Sequence, residues 1–213
     1  NASHELKTPL TAIIGYSELL SHNMIQEEIE KQKALETILS ESIRMKKVLN
    51  DMLSLSSLES NVGDRNVEWI EGKDAILEIV SSLSILAKEK NVSIELNLEP
   101  MQIQMAREDF DQLTRNIIAN AIFYNKNGGE VKITLNSSFF RCEDTGIGIE
   151  EKYQARIFER FFRVDKGRSR KDGGTGLGLA IVKHICLHYG FDLHLDSRLQ
   201  EGSTFTITFH PDK

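Results

Sequence analysis

Hydrophobic periodicity changes once along this chain, near residue 60. Before that point apolar residues recur three or four positions apart, which corresponds to one face of a helix. The first set is Leu6, Leu10, Ile13 and Leu20, and the second is Leu35, Ile38, Met45, Leu49 and Met52. A polar break at residues 21–23 separates the two sets. The spacing of about 3.5 residues is typical of helices packed along their length and predicts an antiparallel helical hairpin.

A hairpin of this kind has an apolar face but no second layer to cover it. The simplest partner is an identical hairpin from another copy of the chain, which would give a dimeric four-helix bundle. The alternative is a monomer in which the apolar face packs against the chain's own second domain. We expect the homodimer.

A polar, glycine-containing segment follows the second helix and marks the predicted domain boundary. We expect one domain over residues 1–63 and another over residues 64–213. Strands are predicted at residues 67–70, 92–98, 103–105, 131–135, 139–143, 192–197 and 203–209, and helices at residues 74–90, 107–124, 151–158 and 176–189. The predicted fold class is α followed by α/β: a helical hairpin, then a two-layer α/β sandwich with helices on one face of a mixed sheet.

Charge and composition exclude several classes of protein. A formal net charge of -6 over 213 residues does not favour general nucleic-acid binding, which depends on positive charge. Cys142 and Cys186 stand far apart in apolar surroundings, which indicates buried free thiols in a reducing, cytoplasmic compartment. No run of about 18 apolar residues is present that could span a membrane. Because the chain lacks an initiator methionine and begins within a helical pattern, we expect it to be a fragment of a longer protein.

Two glycine clusters carry the strongest chemical signal. One contains Asp144, Gly146 and Gly148 and follows a predicted strand, and the other, residues 173–178 (GGTGLG), opens a predicted helix. Glycine lets the backbone approach a ligand closely, and a helix N-terminus favours phosphate. Neither cluster matches the P-loop, and neither completes the Gly-x-Gly-x-x-Gly pattern of Rossmann folds and protein kinases. The alternative is that both clusters are simply turns.

Two asparagines form a second signal. Asn116 and Asn120 stand four apart among apolar residues, on one face of a predicted helix. Asparagine is a weak helix former, so its repetition there needs a reason. The amide oxygens could ligate a hard cation such as Mg²⁺, which proteins usually bind together with substrate phosphates. The alternative is a pair of polar residues on a solvated helix edge.

Taken in order, these motifs closely resemble the cytoplasmic catalytic core of two-component sensor histidine kinases. The segments that carry the resemblance share that family's motif sequence and motif order, and together they cover essentially the whole chain. They are residues 3–10 (SHELKTPL, the H box), 116–120 (the N box), 144–149 (the first glycine box), 158–163 (the F box), 174–179 (the second glycine box) and 202–205 (a terminal glycine motif).

The resemblance implies an ATP-binding sandwich of the type shared with gyrase and MutL ATPases. Asp144 would accept a hydrogen bond from the adenine amino group, which suits a carboxylate because it is an acceptor only. Asn120, with Asn116, would hold Mg²⁺ between the phosphates. Arg163 would direct its charge at the γ-phosphate, and residues 166–172 would form a lid over ATP. The other residues expected at the nucleotide are Tyr124, Gly146, Gly148, Gly174, Thr175, Gly176, Leu177 and Gly178.

The same resemblance gives His4 a chemical role. A neutral imidazole nitrogen of His4 would attack the γ-phosphorus of ATP, and Glu5 would orient the ring and take up the proton from its other nitrogen. Thr8 lies on the same helix face and would help position the water that dephosphorylates a partner. Pro9 removes a backbone N–H, so a local bend is expected. The alternative is a solvated terminal histidine; a His-Glu-x-x-His zinc site is excluded because residue 8 is threonine.

The implied function is that of an ATP-dependent kinase that phosphorylates His4 and passes the phosphoryl group to an aspartate of a response regulator receiver domain. The family also implies phosphatase activity toward that regulator, docking of the regulator near His4, and a membrane anchor upstream of this cytoplasmic part.

One residue departs from the family pattern. Phe123 stands where the family commonly has a basic residue, and weaker or differently organised phosphate binding is expected; Lys126 could substitute for the missing charge. Two alternative functions remain open at this point. One is a nucleotide-binding dimerisation module without phosphoryl transfer, for which Phe123 is the support. The other is an ATPase of the gyrase or MutL kind, which leaves the His4 helix unexplained.

Overall fold

The computed structural model describes residues 2–60, 66–164 and 174–210. Two long helices come first, and strands alternate with helices after them. The helices are α1 Ala2–Ser21, α2 Glu28–Ser60, α3 Gly72–Glu89, α4 Arg107–Phe123, α5 Glu151–Gln154, a 3₁₀ helix at Arg156–Phe158, and α6 Gly178–Tyr189. The strands are β1 Val67–Glu71, β2 Ser93–Leu98, β3 Gln102–Ala106, β4 Glu130–Leu135, β5 Phe139–Asp144, β6 Asp192–Arg198 and β7 Gly202–Thr208.

Helices α1 and α2 form the expected antiparallel hairpin. A short turn joins them, in which the N–H of Met24 donates to the carbonyl of Leu19 and Asn23 takes a left-handed conformation with φ of 51°. The start of α1 therefore lies beside the second half of α2, as the contact between Glu5 and Arg44 confirms. Within the part of α2 that α1 covers, the buried residues are Ala34, Arg44 and Val48.

A second face of α2 stays uncovered in the single chain. Leu35 and Leu49, two members of the predicted apolar set, are exposed, and so are the neighbouring Leu39, Ile43 and Leu53. Ile38, Met45 and Met52 are half-buried. The periodicity therefore identified a helix correctly, but part of the apolar set points away from α1 and away from the second domain.

The second part of the chain is a five-stranded mixed sheet in the order β2-β4-β5-β7-β6, with β2 and β4 parallel and the other neighbours antiparallel. Strands β1 and β3 form a separate antiparallel pair. Alternate residues of β4, β5 and β7 are buried under α3, α4 and α6, as in Val131, Ile133, Phe140, Cys142 and Ile207. The predicted two-layer sandwich is confirmed.

The second domain packs on the last turns of α2. Leu55 and Leu58 belong to the same hydrophobic core as the sheet and its helices. Polar contacts surround this apolar centre: the Ser54 hydroxyl donates to Gln112 Oε1 at 2.7 Å, and Arg160 forms an ion pair with Glu59. Docking of the hairpin on its own second domain, the alternative to a dimer, thus occurs at the end of α2 and leaves the face around Leu35 and Leu49 free.

Several predicted element ends differ from the structure by one or two residues, as in α3, which begins at Gly72 rather than at residue 74, and local contacts explain two further differences. The helix expected from residue 176 begins at Gly178, because Gly176 has a φ of +71° and cannot belong to a right-handed helix. The helix expected over residues 151–158 is interrupted at Ala155, where α5 gives way to the 3₁₀ helix. The Gln154 side chain donates to the carbonyls of Ile149 and Ser197 and fixes the end of α5. The predicted domain boundary at residues 63 and 64 lies outside the described residues.

Both cysteines are buried and free, as expected. Burial raises the pKa of the Cys142 thiol well above its usual range and raises the pKa of Cys186 to about 12, so both remain protonated near neutral pH. Within the described ranges, no helix is both long enough and apolar enough to cross a membrane.

Candidate active site

Asp144 is the last residue of β5, the central strand of the five-stranded sheet. Its Oδ1 accepts a hydrogen bond from the backbone N–H of Gly146 at 2.8 Å, which fixes the carboxylate at the strand end. Burial raises the pKa of Asp144 to about 6, although hydrogen bonds from the backbone of Gly146 and Ser203 oppose the rise. The carboxylate is therefore mostly ionised at neutral pH and titrates within a physiological range.

The loop after β5 lies so close to its neighbours that only glycine fits at two positions. A Cβ on Gly146 would lie 2.4 Å from the carbonyl oxygen of Tyr124, and a Cβ on Gly148, where φ is +64°, would lie 1.9 Å from the carbonyl oxygen of Arg198. The N–H of Ile147 donates to the same Tyr124 carbonyl at 3.1 Å. The loop is thus fastened to the C-terminal end of α4, and the first glycine cluster is a packed element rather than a loose turn.

The second glycine cluster precedes α6 and is held from two sides. The Thr175 hydroxyl accepts a hydrogen bond from the N–H of Leu177 at 3.2 Å and donates one to Asp51 Oδ2 on α2 at 2.8 Å. The Gly176 carbonyl accepts from the N–H of Phe161 at 2.8 Å. Gly178 then begins a helix of 12 residues whose N-terminal backbone N–H groups favour an anion.

Asn116 lies where α4 meets the first residue of α6. Its Oδ1 lies 3.0 Å from the position that a Cβ on Gly178 would occupy, so a larger residue there would displace the amide. Its Nδ2 is buried without a hydrogen-bond partner among the residues that the structure describes. Asn120 follows one turn later on the same face and is half-buried. An unpaired buried amide beside the N-terminus of α6 is the arrangement expected of a site completed by a ligand.

The remaining predicted nucleotide residues outside the two glycine clusters' tight turns are Tyr124, Gly174 and Arg163. Tyr124 terminates α4 and is 43% exposed, with its ring edge-to-face against Phe123 at a centroid distance of 4.9 Å. Gly174 is half-buried just before Thr175, and Arg163 is half-buried near the end of the preceding described segment. Most of the segment between them, including the predicted lid at residues 166–172, lies outside the described residues.

Lys90 was missed by sequence reasoning. Its Nζ lies over the ring of Phe123, 4.7 Å from the centroid, as a cation–π contact. Helices α3 and α4 run parallel here, as the hydrogen bond from Arg115 to Ser82 also indicates, and this packing brings the end of α3 to the end of α4. A positive charge therefore lies at the aromatic position that departs from the family pattern, although it comes from a residue 33 positions away in the chain. No local sequence signal marks it.

His4 lies in the first turns of α1 with an exposed side chain. The Thr8 hydroxyl donates to the His4 carbonyl oxygen at 3.2 Å, and Pro9 is buried within a helix that continues to Ser21. Glu5 is half-buried, and its Oε2 lies 3.4 Å from Nη2 of Arg44 on α2. Arg44 was also missed by sequence reasoning.

The structure does not bring His4 and the glycine clusters together. Arg44 contacts Glu5 beside His4, whereas Asp51 contacts Thr175 in the second glycine cluster. Seven residues of α-helix separate these two levels of α2, which corresponds to about 10 Å along the helix axis. The predicted phosphoacceptor and the predicted phosphate site thus meet the same helix about two turns apart.

Comparison with known protein families assigns both parts of the chain. Residues 1–61 match the family model of the His Kinase A (phospho-acceptor) domain. Residues 105–213 match the model of the histidine kinase-, DNA gyrase B-, and HSP90-like ATPases, which covers just over half of the chain. The chain belongs to the sensor histidine kinase family. The resemblance seen in the motifs is therefore confirmed, together with the ATP-binding class of the second domain.

Relatives of this histidine kinase chain carry the same assignment. It is 36% identical to the phosphate regulon sensor protein PhoR of Pseudomonas aeruginosa over 99% of its own length and 49% of that protein. It is 35% identical to the sensor histidine kinase WalK of Bacillus subtilis over 98% of its own length and 35% of that protein. The chain therefore spans half or less of these relatives.

Solved structures confirm the architecture. The Acinetobacter baumannii histidine kinase AdeS superposes with a TM-score of 0.79 at 22% sequence identity, covering 99% of this chain and 98% of that one, which is a likeness of fold. Full-length ShkA in complex with AMPPNP superposes with a TM-score of 0.72 at 25% identity, covering 97% of this chain and 44% of that one.

Proposed function

We propose that this chain is an ATP-dependent histidine kinase core that phosphorylates its own His4 and transfers the phosphoryl group to an aspartate of a response regulator receiver domain. The observation that carries the proposal is the combination, in one chain, of an exposed His4 next to Glu5 on a hairpin that matches the phospho-acceptor domain and a second domain that matches the ATPase family and contains both glycine clusters. An ATPase without a phosphoacceptor gives no reason for the first of these features.

Asp144 is the residue proposed to recognise adenine. Its carboxylate accepts hydrogen bonds from the backbone of Gly146 and Ser203, and a carboxylate has further lone pairs that could accept the exocyclic amino group of adenine. Guanine presents a carbonyl oxygen at the corresponding place and would be repelled. Tyr124 lies next to this loop, because its carbonyl oxygen accepts the N–H of Ile147, and close packing against Tyr124 and Arg198 fixes the loop that follows Asp144.

The turn that precedes α6 is proposed to bind the phosphates. The backbone N–H groups of residues 174–178 and the N-terminus of α6 provide donors for phosphate oxygens. Asn116 lies beside Gly178, the last residue of this turn, and its unpaired amide fits a site completed by phosphates and their cation; Asn120 follows one helical turn later on the same face of α4. The described residues contain no group of three or more acidic, histidine or cysteine side chains that could hold a metal. Asn116 and Asn120 are the side chains proposed to hold Mg²⁺ together with the phosphates, whose charge the cation would neutralise.

In the proposed transfer step, His4 and Glu5 on the hairpin react with the γ-phosphate of ATP. A lone pair of one neutral His4 ring nitrogen forms the new N–P bond with the γ-phosphorus. The bond from that phosphorus to the bridging oxygen breaks, and ADP leaves with the electron pair. The other ring nitrogen gives its proton to the Glu5 carboxylate, so that the product is a neutral phosphoramidate ring and a protonated Glu5, which returns the proton to solvent. Arg163 is the side chain proposed to stabilise charge on the γ-phosphate.

The hairpin supplies the interaction surfaces. The uncovered leucines of α2, among them Leu35 and Leu49, support a homodimer in which two hairpins form a four-helix bundle. The receiver domain would dock on the hairpin near His4, and the exposed Thr8 would help position water for dephosphorylation of the regulator. The domain division at residues 63 and 64 belongs to the same proposal. So does a cytoplasmic location, with a membrane anchor in the longer protein.

The fate of the γ-phosphate separates this function from its rivals. With γ-labelled ATP and Mg²⁺, the kinase function requires label on the protein that passes to a receiver domain when one is added. A gyrase-type or MutL-type ATPase would release the label as free phosphate without a labelled protein, and a nucleotide-binding module would bind ATP and leave it intact. Either of the last two results would overturn the proposal.

A further inference from the structure

Arg44 is an unusual residue at the seam between α1 and α2. It is 9% exposed, and among the described residues only Arg44 and Asp109 are charged side chains classed as buried. Residues Ala34 and Val48, on the same face of α2, are apolar and almost fully buried. A buried guanidinium costs stability unless it is well paired, so packing alone does not account for a charge at this position.

The contacts of Arg44 are with two carboxylates. Nη2 lies 3.4 Å from Glu5 Oε2 across the hairpin, and Nη1 lies 3.7 Å from Glu41 Oε2 one turn earlier on α2. The Nε of Arg44 and Oε2 of Glu41 have no hydrogen bond to any part of the chain that the structure describes. The pair with Glu5 is therefore the closer of the two, and it joins residues 39 apart in sequence.

This pairing controls where the Glu5 carboxylate lies. Consecutive helical residues point about 100° apart, so Glu5 does not share the exposed face of His4. Glu5 is half-buried toward α2, and none of the hydrogen bonds among the described residues joins it to the His4 ring. Without Arg44 the long Glu5 side chain would sample many rotamers and lose its fixed place in the same turn as His4.

We propose that Arg44 is a positioning residue that holds the Glu5 carboxylate in place for phosphoryl transfer to His4. The inference rests on the proposed function, in which Glu5 takes up the ring proton. Arg44 acts through Glu5 and touches neither nucleotide nor phosphate. Arginine suits the task better than lysine, because one planar guanidinium reaches Glu5 and Glu41 with separate nitrogens.

The first test compares Arg44→Met, Arg44→Lys and Glu41→Gln in autophosphorylation. Arg44→Met should lower the rate at saturating ATP by about 10- to 100-fold, which is no more than the lower end of the loss expected when a general base is removed, and leave the KM for ATP within about twofold. Arg44→Lys should retain an intermediate rate. Glu41→Gln, the matched control that removes the other carboxylate partner, should stay near the wild-type rate. A wild-type rate in Arg44→Met would overturn the inference.

A second test distinguishes positioning from hairpin stability. The double variant Glu5→Gln/Arg44→Met should be no slower than Glu5→Gln alone, because Arg44 acts only through Glu5. Free guanidinium ion at millimolar concentration should restore part of the rate of Arg44→Met and none of that of Glu5→Gln. Multiplicative losses in the double variant, or no rescue in the folded single variant, would overturn the inference. If Arg44→Met does not fold, the same cycle with Arg44→Lys decides.

The rate of the Glu5→Gln variant distinguishes an error in the proposed role of Glu5 from an error in the proposed role of Arg44. If Glu5→Gln phosphorylates at the wild-type rate, the proton-accepting role of Glu5 is wrong whatever Arg44 does. If Glu5→Gln is slow while Arg44→Met is fast, the role of Glu5 holds and only the positioning by Arg44 is wrong.

Discussion

The hydroxyl of Thr175 donates a hydrogen bond to the carboxylate of Asp51 at 2.8 Å and so joins the turn before α6 to the second helix of the hairpin. The two residues are 124 positions apart, and Thr175 is 5% exposed. The same hydroxyl accepts the N–H of Leu177, one of the proposed phosphate-binding donors. The docking of the two domains and the shape of the phosphate-binding turn are therefore linked through one side chain.

Loss of this hydrogen bond should loosen the docking. Asp51→Ala removes the acceptor and should cost about 1 kcal/mol of docking free energy, which hydrogen exchange would detect as faster exchange around Leu55 and Leu58. Because the docked phosphate site lies about 10 Å along α2 from His4, looser docking should also raise the rate of His4 phosphorylation. Hydrogen exchange around Leu55 and Leu58 that is no faster than in the wild type would contradict this link. Faster hydrogen exchange with an unchanged rate of His4 phosphorylation would also contradict it.

Asp51→Asn is the matched control, since it keeps an acceptor for Thr175 and removes the charge. Burial raises the pKa of Asp51, opposed by the Thr175 hydrogen bond and by Lys47. A carboxyl whose pKa is raised on folding stabilises the folded state at low pH and loses that contribution as pH rises. Asp51→Asn should therefore be at least as stable as the wild type near neutral pH and lose any advantage in acid. A large loss of stability at neutral pH would show that ionised Asp51 favours docking.

Nucleotide affinity should fall in mildly acidic solution. The pKa of Asp144 is raised to about 6 by burial, so protonation between neutral pH and pH 5 removes the charged acceptor proposed for adenine. Adenosine is the better probe because it has no phosphates that titrate in this range. Its affinity, measured by calorimetry, should decrease as pH falls through about 6. In Asp144→Asn it should be weaker by roughly 10- to 100-fold and independent of pH. An equal pH dependence in both proteins would exclude Asp144 as the titrating group.

The glycine at position 148 should tolerate no side chain. In Gly148→Ala the new Cβ would meet the Arg198 carbonyl at 1.9 Å, at a φ of +64°, and both backbone segments would have to move. We expect a loss of at least about 2 kcal/mol in the free energy of unfolding, together with loss of nucleotide binding. Gly15→Ala is the control, because it lies in α1 with no atom within 4 Å of the new Cβ. This change should stabilise the helix by about 0.5–1 kcal/mol. Chemical denaturation measures both changes.

Substitutions at exposed apolar residues should show which of these residues form the proposed dimer interface. Leu35→Asn combined with Leu49→Asn places polar groups on the uncovered face of α2 and should convert the protein from dimer to monomer in light scattering. Ile85→Asn is the matched control, because Ile85 is 69% exposed on α3 in the other domain. The control should remain dimeric. A wild-type protein that is monomeric at high concentration would contradict the four-helix bundle.

Short-range sequence patterns predicted the architecture because they act within single elements. The apolar spacing defined α1 and α2, and the glycines that end β5 and precede α6 lie where their backbone conformations are required. The start of α6 was predicted too early because Gly176 can occur in a helix or in a left-handed turn, and only packing against Phe161 decides between them.

Long-range contacts could not be predicted in the same way. Arg44 meets Glu5 only because the hairpin has a particular register, and Lys90 meets Phe123 only because α3 and α4 run parallel. Nothing near these residues in sequence specifies their partners. Sequence patterns therefore did not predict contacts that depend on how two helices are aligned. Two of these contacts lie beside proposed functional residues: Arg44 contacts Glu5, and Lys90 contacts Phe123, which precedes Tyr124.

The central claim is that this chain phosphorylates His4 with the γ-phosphate of ATP. The most direct measurement is incubation of the purified protein with γ-labelled ATP and Mg²⁺, followed by acid and alkali treatment, with His4→Gln in parallel. The account predicts label on the wild-type protein that is lost in acid, stable in alkali, and absent from His4→Gln. Label that persists in His4→Gln, or no label on a protein that binds ATP tightly, would contradict it.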